Sequence, residues 1–238
     1  MENGTTQYQA EPAFSECERE AVYKAIFKRR DVRGEFKPDP VPDKVLARLL
    51  QAAHHAPSVG YMQPWDFILI RSDETRQKIH ELFETANREA EALFEGGKRE
   101  LYSRLKLEGI LSSPVNLCIT CDRSRSGPVV LGRTHDMAMD IYSSVCAVQN
   151  LWLAARAEGI GVGWVSIFDR EKLKSVLGLP EHVIPVAYLC IGYVDDFHLE
   201  PELQTAGWRE RLDLKELVFS DAWGKSDDQE LEGLLQLL

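Results

Sequence analysis

A cluster of arginines is the feature of this 238-residue sequence that points most directly to chemistry. Arg29, Arg30 and Arg33 lie close together, although the chain carries a formal net charge of −10. Guanidinium groups bind phosphate oxygens through paired hydrogen bonds, and a phosphomonoester carries about −1.5 to −2 charges at neutral pH. The cluster therefore indicates a small phosphorylated ligand. The alternative is a solvated basic helix end, which needs no ligand.

Cys118 and Cys121 have the C-x-x-C spacing that occurs in redox and zinc sites. They accompany an apolar run that predicts a strand, and residues three apart in a strand point to opposite faces. No second pair of ligands follows at zinc-site spacing. We therefore expect the two thiols to pack in the interior rather than to act together.

Gly159, Gly161 and Gly163 superficially suggest a dinucleotide-binding loop. In that motif the last glycine comes three residues after the second, and the loop opens a helix. Here the last spacing is shorter, and the glycines lead into an apolar, strand-like run. We interpret them as a tight connection from a helix to a strand.

His135, Asp136 and Asp140 could supply metal ligands near the start of a helix. Acidic residues are expected there in any case, because the helix dipole favours negative charge in the first turn. No further set of ligands stands out, so we predict that the protein holds no metal. Residues 124–127, which include Arg125, have the composition of an exposed loop.

The composition is that of an ordinary globular chain, with 44% hydrophobic and 28% charged residues. An acidic surface disfavours nucleic acid and anionic membranes. No run reaches the roughly 18 apolar residues that a membrane span needs, and residues 1–13 lack the pattern of a signal peptide. The five cysteines are an odd number, which suits a reducing compartment. We therefore expect a cytoplasmic protein that binds neither nucleic acid nor membrane.

Capping signals and periodicity predict the helices that lead into and follow the arginine cluster. Ser15 and Glu18 stand at capping-box spacing before a helical stretch that reaches about Arg29. Asp43 can cap a second helix. The apolar face of that helix consists of Val45, Leu46, Leu49, Leu50 and Ala53.

Four nearly continuous apolar runs predict central strands at residues 65–70, 115–120, 161–167 and 185–194. A charged helical region over 73–108, broken at Gly96 and Gly97, is interpreted as a solvated helical pair or a lid. A helix over 136–158 is apolar on more than one face, so it must be buried in the fold or against a partner subunit. We expect a dimer of one α+β domain over 14–224, with a disordered N-terminus over 1–13 and a C-terminal tail over 225–238.

In order along the chain, these motifs resemble the flavin-dependent nitroreductase superfamily. Its members typically open with R-R-S-x-R, carry P-S-x-x-N-x-Q-P-W before the first central strand, and end the core with a basic pair. The counterparts here are RRDVR at 29–33, PSVGYMQPW at 57–65, and Arg209 with Arg211. The resemblance covers about residues 18–224. It implies a nitroreductase-like fold with a central mixed sheet flanked by helices, a domain-exchanged homodimer and one FMN at each end of the dimer interface.

Two departures from that pattern point to a narrower family, because Asp31 replaces the usual Ser and Tyr61 stands where Asn is usual. Together with the segments 105–109, 121–135, 149–168 and 200–212, they resemble the 5,6-dimethylbenzimidazole synthase family, usually called BluB. That family takes reduced FMN as its substrate and cleaves it with molecular oxygen. The products are 5,6-dimethylbenzimidazole, the lower base of vitamin B12, and erythrose 4-phosphate. A separate NAD(P)H flavin reductase would supply the reduced flavin.

The resemblance also implies roles for individual residues. Arg29, Arg30 and Arg33 would hold the phosphate, the ribityl chain and the edge of the ring, and Arg209 would add a phosphate contact. Lys106 would reach the polar edge of the ring from another part of the dimer. The other implied flavin contacts are Ser58, Met62 and Gln63 against the isoalloxazine, together with Asp31, Val32, Val165 and Ser166.

Two of these residues are predicted to be catalytic. Flavin cleavage requires protons to move at the ribityl carbon attached to the ring, and the Asp31 carboxylate can act there as general base and acid where a Ser could not. Ser166 would offer a hydroxyl or backbone N–H near flavin N5, and its alternative role is a strand-end hydrogen bond. Two other functions stay open, namely an NAD(P)H-dependent FMN nitroreductase or flavin oxidoreductase, and a non-catalytic flavin store or sensor.

Overall fold

A computed structural model describes residues 12–226 and 229–237. The chain divides after Leu199 into two compact units, of which the second is Glu200–Leu238. The predicted disorder of residues 1–13 concerns a segment that lies almost entirely outside the described residues. No helix in the described part of the chain is long and apolar enough to cross a membrane.

A four-stranded antiparallel sheet forms the centre of the first unit. Its strands are β1 (Trp65–Ile70), β2 (Val115–Asp122), β3 (Ile160–Val165) and β4 (Val183–Tyr193). They lie in the order β1-β2-β4-β3, so all four predicted strands are confirmed, with small shifts at their ends. The parallel part of the predicted mixed sheet is confined, among the described residues, to one bridge between Asp31 and Val162.

Helices cover both faces of this sheet, which explains why antiparallel strands have nearly continuous apolar sequences. The helices of the first unit are α1 (Glu16–Lys28), α2 (Asp43–His54), α3 (Asp73–Glu91), α4 (Gly96–Arg104), α5 (Met139–Ala157) and α6 (Arg170–Leu177). The second unit contains α7 (Glu202–Thr205) and α8 (Gln229–Leu235). Helices α2 and α5 supply buried side chains to the core on one face, and α3 and α6 to the core on the other.

The predicted start of α1 is confirmed and that of α2 is wrong by one residue. Ser15 and Glu18 form a reciprocal capping box, with the Ser15 N–H donating to the Glu18 carboxylate at 2.8 Å. The N-cap of α2 is Pro42 rather than Asp43. Proline fixes its own φ, and here the Pro42 carbonyl accepts the first hydrogen bonds of the helix. Asp43 instead lies in the first turn, where the helix dipole favours its charge.

The interpretations of the cysteine and glycine motifs are both confirmed. Cys118 packs in the core between the sheet and α3, whereas Cys121 lies next to Ser144 of α5 on the opposite face. Burial raises the pKa of Cys118 to about 12 and that of Cys121 to about 11, so both thiols stay protonated at neutral pH. Gly159, with a φ of 73°, makes the turn from α5 into β3.

Candidate active site

The arginine cluster begins where α1 ends and continues alongside the edge strand β3. The Val32 N–H donates to the Val162 carbonyl oxygen at 3.0 Å. Gly163 makes this approach possible, because a Cβ at that position would lie only 1.9 Å from the Val32 carbonyl oxygen. The glycine that ends the apparent dinucleotide motif therefore lets the arginine segment cross close to the sheet.

Asp31 is held at this crossing by two donors. Its Oδ1 accepts from the Trp164 backbone N–H at 3.0 Å, and its Oδ2 pairs with Arg33 Nη2 at 2.5 Å. The side chain is only partly buried, so the carboxylate still faces solvent on one side. A carboxylate oxygen with one hydrogen bond keeps a second lone pair. Asp31 can therefore still accept a proton from a ligand while its position is fixed.

Helix α5 binds the backbone of the arginine segment. Trp152 Nε1–H donates to the Arg30 carbonyl oxygen at 3.2 Å, and Arg156 Nε–H donates to the Lys28 carbonyl oxygen at 2.8 Å. The Arg29 guanidinium lies over the Trp152 ring, 4.7 Å from its centroid. These contacts hold the end of α1 in place against α5.

The three arginine residues of the cluster are all partly buried, which differs from the solvated helix end considered as the alternative. Arg30 Nη1 donates to the carbonyl oxygens of Phe27 and Arg29, and its Nη2 donates to that of Leu199. The Arg30 Nε is buried and has no hydrogen-bond partner among the described residues. A buried donor without a partner is costly, so this nitrogen is suited to an acceptor on a ligand.

The segment 57–65 forms a second wall with unusual backbone geometry. Gly60, Tyr61 and Gln63 have φ values of 54°, 54° and 48°. Two of these residues are not glycine, and such strained backbone persists only where the surroundings enforce it, often at functional sites. Ser58 contributes locally, because its Oγ accepts from the Gln63 N–H at 3.0 Å.

Arg125 enforces this geometry from the loop that follows β2. Its Nη1 donates to the Gln63 and Trp65 carbonyl oxygens, both at 2.8 Å, and its Nη2 pairs with Asp66. A Cβ on Gly60 would lie 2.7 Å from the Leu131 carbonyl oxygen, so the two loops are in direct contact. The prediction that residues 124–127 form a merely exposed loop is wrong for Arg125, whose distant partners leave no local signal in the sequence.

Asp140 is the centre of a buried charge network under the same segment. The carboxylate is fully buried, with Arg133 Nη1 at 2.6 Å and Arg123 Nε at 3.1 Å from Oδ2. Arg133 is itself buried, and its Nη1 also lies 3.8 Å from the Met62 sulfur. The Met62 side chain is therefore turned inward, toward Arg133. Among the described residues no group of three or more side chains is arranged to hold a metal ion.

Ser166 is exposed and follows β3 directly, two residues beyond Trp164. Two residues along an extended strand correspond to about 7 Å, so Ser166 follows at about that distance from Trp164, whose N–H binds Asp31. Val165 is buried. Ser166 borders a cavity of about 210 Å³ whose other lining residues include Trp164, Phe168, Arg170, Leu173 and Tyr188.

Lys106 lies beside the arginine segment of its own chain. A Cβ on Gly34 would be 3.1 Å from Lys106 Cγ, and the Lys106 Nζ pairs with Glu108 Oε1 at 2.6 Å. Lys106 therefore lies beside the arginine cluster of its own chain, and its approach to a flavin from another part of the dimer stays a prediction. Arg209 belongs to the second unit, beyond α7, and its phosphate contact stays a prediction.

Comparisons with known proteins identify the family of this chain. The nitroreductase family matches residues 26–193. A 5,6-dimethylbenzimidazole synthase from Rhodospirillum rubrum is 40% identical, over 84% of this chain and 94% of that protein. One from Rhodobacter capsulatus is 36% identical, over 84% of this chain and 96% of its own length. The structure of an iodotyrosine deiodinase bound to FMN and 3-iodo-L-tyrosine has the same fold, with a TM-score of 0.64 and 22% identity over 80% of this chain and 96% of its own. The chain therefore belongs to the nitroreductase family and, within it, to the 5,6-dimethylbenzimidazole synthases.

Proposed function

We propose that this oxidoreductase cleaves reduced FMN with molecular oxygen into 5,6-dimethylbenzimidazole, erythrose 4-phosphate and a fragment that carries the remaining pyrimidine atoms of the flavin ring. The observation that carries the proposal is the Asp31 carboxylate, fixed between Arg33 and the Trp164 N–H at the edge of β3. An acid at this place can move protons at the ribityl carbon next to the ring, which is the step that separates cleavage from simple flavin oxidation.

The residues present suit an FMN-sized anion. Three guanidinium groups offset the phosphate charge, and the Arg30 Nε is a buried donor without a partner among the described residues. Reduced FMN would supply the electrons for oxygen, while the chain binds, orients and moves protons. Arg29, Arg30, Arg33 and Arg209 would bind the phosphate, ribityl chain and ring edge. Ser58, Met62, Gln63, Val32, Val165, Lys106 and Ser166 would form the remaining contacts.

The decisive experiment is aerobic incubation of the protein with reduced FMN, followed by mass analysis for 5,6-dimethylbenzimidazole and erythrose 4-phosphate. Both products should appear in equal amounts, and their absence would contradict the proposal.

The second candidate is an NAD(P)H-dependent nitroreductase or flavin oxidoreductase that keeps its flavin. Membership of the nitroreductase family favours this candidate. It would consume NAD(P)H directly with oxidised FMN, whereas the synthase should depend on a separate flavin reductase.

We expect Arg29→Ala to weaken FMN binding by about tenfold to a hundredfold, because a charge-assisted hydrogen bond contributes roughly 1.5–3 kcal/mol. The substitution also removes stacking on Trp152, so riboflavin is the control ligand. Riboflavin, which lacks the phosphate, should bind the wild type more weakly than FMN does and should lose little further affinity in the variant. Equal affinity of the wild type for FMN and riboflavin, measured by fluorescence titration, would contradict a phosphate-binding role.

We also propose a homodimer that completes the flavin site. Of the residues expected to hold the flavin, only Val165 and Ser166 line the cavity of about 210 Å³ beside β3, which is smaller than the roughly 300–1,000 Å³ of typical ligand sites. Large apolar side chains are exposed on α1 and near the start of α5, including Tyr23, Phe27, Leu131 and Tyr142. Light scattering should therefore give twice the 27.0 kDa chain mass. A fully active monomer would contradict both the dimer and the shared site.

A further inference from the structure

Glu108 is a buried carboxylate that the proposed reaction does not use. Its Oε1 lies 2.6 Å from Lys106 Nζ, and its Oε2 accepts from the Ile110 N–H at 2.7 Å. A buried charge is stable only when it is paired and hydrogen-bonded, and Glu108 satisfies both conditions. Because the residue is buried, it is not placed to touch a substrate itself.

The core anchors Glu108 through its neighbour Ile110. The Ile110 side chain is fully buried, and its carbonyl oxygen accepts from Asn116 Nδ2 at 3.1 Å and from Arg76 Nη2 at 2.8 Å. Asn116 is in turn buried on β2 and accepts from the Tyr188 hydroxyl at 2.7 Å. The Glu108 carboxylate is therefore a fixed point, whereas the Lys106 side chain that it holds is about half exposed.

Two glycines allow the segment around Glu108 to pack closely against the segment that carries the arginine cluster, residues 29–34. A Cβ on Gly109 would lie 2.9 Å from the Arg33 carbonyl oxygen, and one on Gly34 would lie 3.1 Å from Lys106 Cγ. The two chain segments thus touch at Arg33 and Gly34. This contact packs the segment that carries Lys106 and Glu108 against the segment that carries Asp31 and Arg33.

We infer that Glu108 is a positioning residue, which holds the Lys106 ammonium group beside Arg33 and Gly34 so that it can bind the polar edge of the flavin ring. A free lysine side chain samples many rotamers, and fixing it before the ligand arrives removes that cost from binding. The inference rests on the proposed flavin site. It assigns a function to Glu108, which lies in the segment 105–109 but has no role among those that the resemblance implies.

The test is a double-mutant cycle on FMN affinity with Glu108→Gln, Lys106→Met and the double variant, measured anaerobically by fluorescence titration. Glutamine keeps the size of Glu108 and an acceptor for the Ile110 N–H but loses the ion pair. We expect Glu108→Gln to weaken FMN and riboflavin binding equally, by about three- to tenfold. In the Lys106→Met background it should have no further effect.

A matched control is Glu91→Gln, which breaks the comparable ion pair between Glu91 and Arg99 of α3 and α4 and should leave the affinity unchanged. An equal loss from Glu108→Gln with and without Lys106, or no loss at all, would overturn the inference. If Glu108→Gln fails to fold, Glu108→Asp replaces it in the same cycle, since it keeps the charge but withdraws the carboxylate from Lys106. The cycle measures binding alone, so it can hold even if no benzimidazole is formed and the proposed reaction fails.

Discussion

Asp31→Asn should lower 5,6-dimethylbenzimidazole formation by about 10²–10⁴-fold, the usual effect of losing a general base, while reduced FMN continues to be oxidised. Asparagine keeps an oxygen that can accept from the Trp164 N–H, so the arginine segment should stay beside β3. The arginines that offset the phosphate charge are untouched, and FMN should still bind. Without the carboxylate, oxygen is reduced to hydrogen peroxide, and the flavin is released intact. Mass analysis and a peroxide assay on the same reaction give the ratio of the two outcomes.

The structure requires a control for this experiment, because Asp31→Asn also breaks the ion pair with Arg33 at 2.5 Å. Arg33→Met breaks the same pair and keeps the carboxylate. It should weaken flavin binding but leave the ratio of benzimidazole to peroxide near that of the wild type. If both variants lose benzimidazole equally, the ion pair matters rather than the base. If Asp31→Asn forms benzimidazole at the wild-type rate, Asp31 is a structural residue and the catalytic assignment is wrong.

Ser166 offers a graded comparison with Asp31. Ser166→Ala keeps the carboxylate and removes one hydroxyl at the exposed end of β3. We expect benzimidazole formation to fall between that of the wild type and that of Asp31→Asn, because a single orienting hydrogen bond is lost. The ranking of the three proteins by their rate of benzimidazole formation, rather than any one rate, distinguishes a base from an orienting group.

Much of the fold follows from local sequence patterns. The apolar runs that became β1 to β4 are bounded by turn residues and covered on both faces, so their position is encoded within a few residues. The direction of each strand is not encoded locally, because a continuous apolar run fits a parallel and an antiparallel sheet equally well. The start of α2 shows a similar limit, since Pro42 and Asp43 both suit a helix start and only the hydrogen bonds decide between them.

The site could be predicted only where its residues fall in short motifs. Asp31 and Ser166 were predicted in that way, but the position of Asp31 beside β3 depends on the crossing at Gly163, which the sequence shows only as one glycine in a run. Glu108 and Asp140 were missed as structural groups, because each acts through partners or anchors that no periodic pattern reveals. Asp140 in particular looked like an ordinary first-turn acid, and its fully buried state depends on two arginines from the preceding loop.

Asp140→Ala should lower the free energy of unfolding by about 3–5 kcal/mol, the usual cost of removing one partner of a buried ion pair. The variant leaves the buried Arg133 charge without its carboxylate, and Arg133 is 4% exposed. Chemical denaturation at neutral pH measures the change. Because Arg133 also contacts Met62, FMN binding by the folded fraction should weaken as the segment 57–65 loosens.

Two further variants separate buried charge from lost volume as the cause. Asp66→Asn breaks an ion pair with Arg125 that is partly exposed, so it should cost no more than about 1 kcal/mol. Asp140→Leu combined with Arg133→Met removes both charges at similar volume and should recover much of the stability lost in Asp140→Ala. FMN binding should not recover with it, because the double variant restores packing but not the charged contact beneath Met62. If the free energy of unfolding of Asp140→Ala lies within about 1 kcal/mol of the wild-type value, the charge network is not needed for folding.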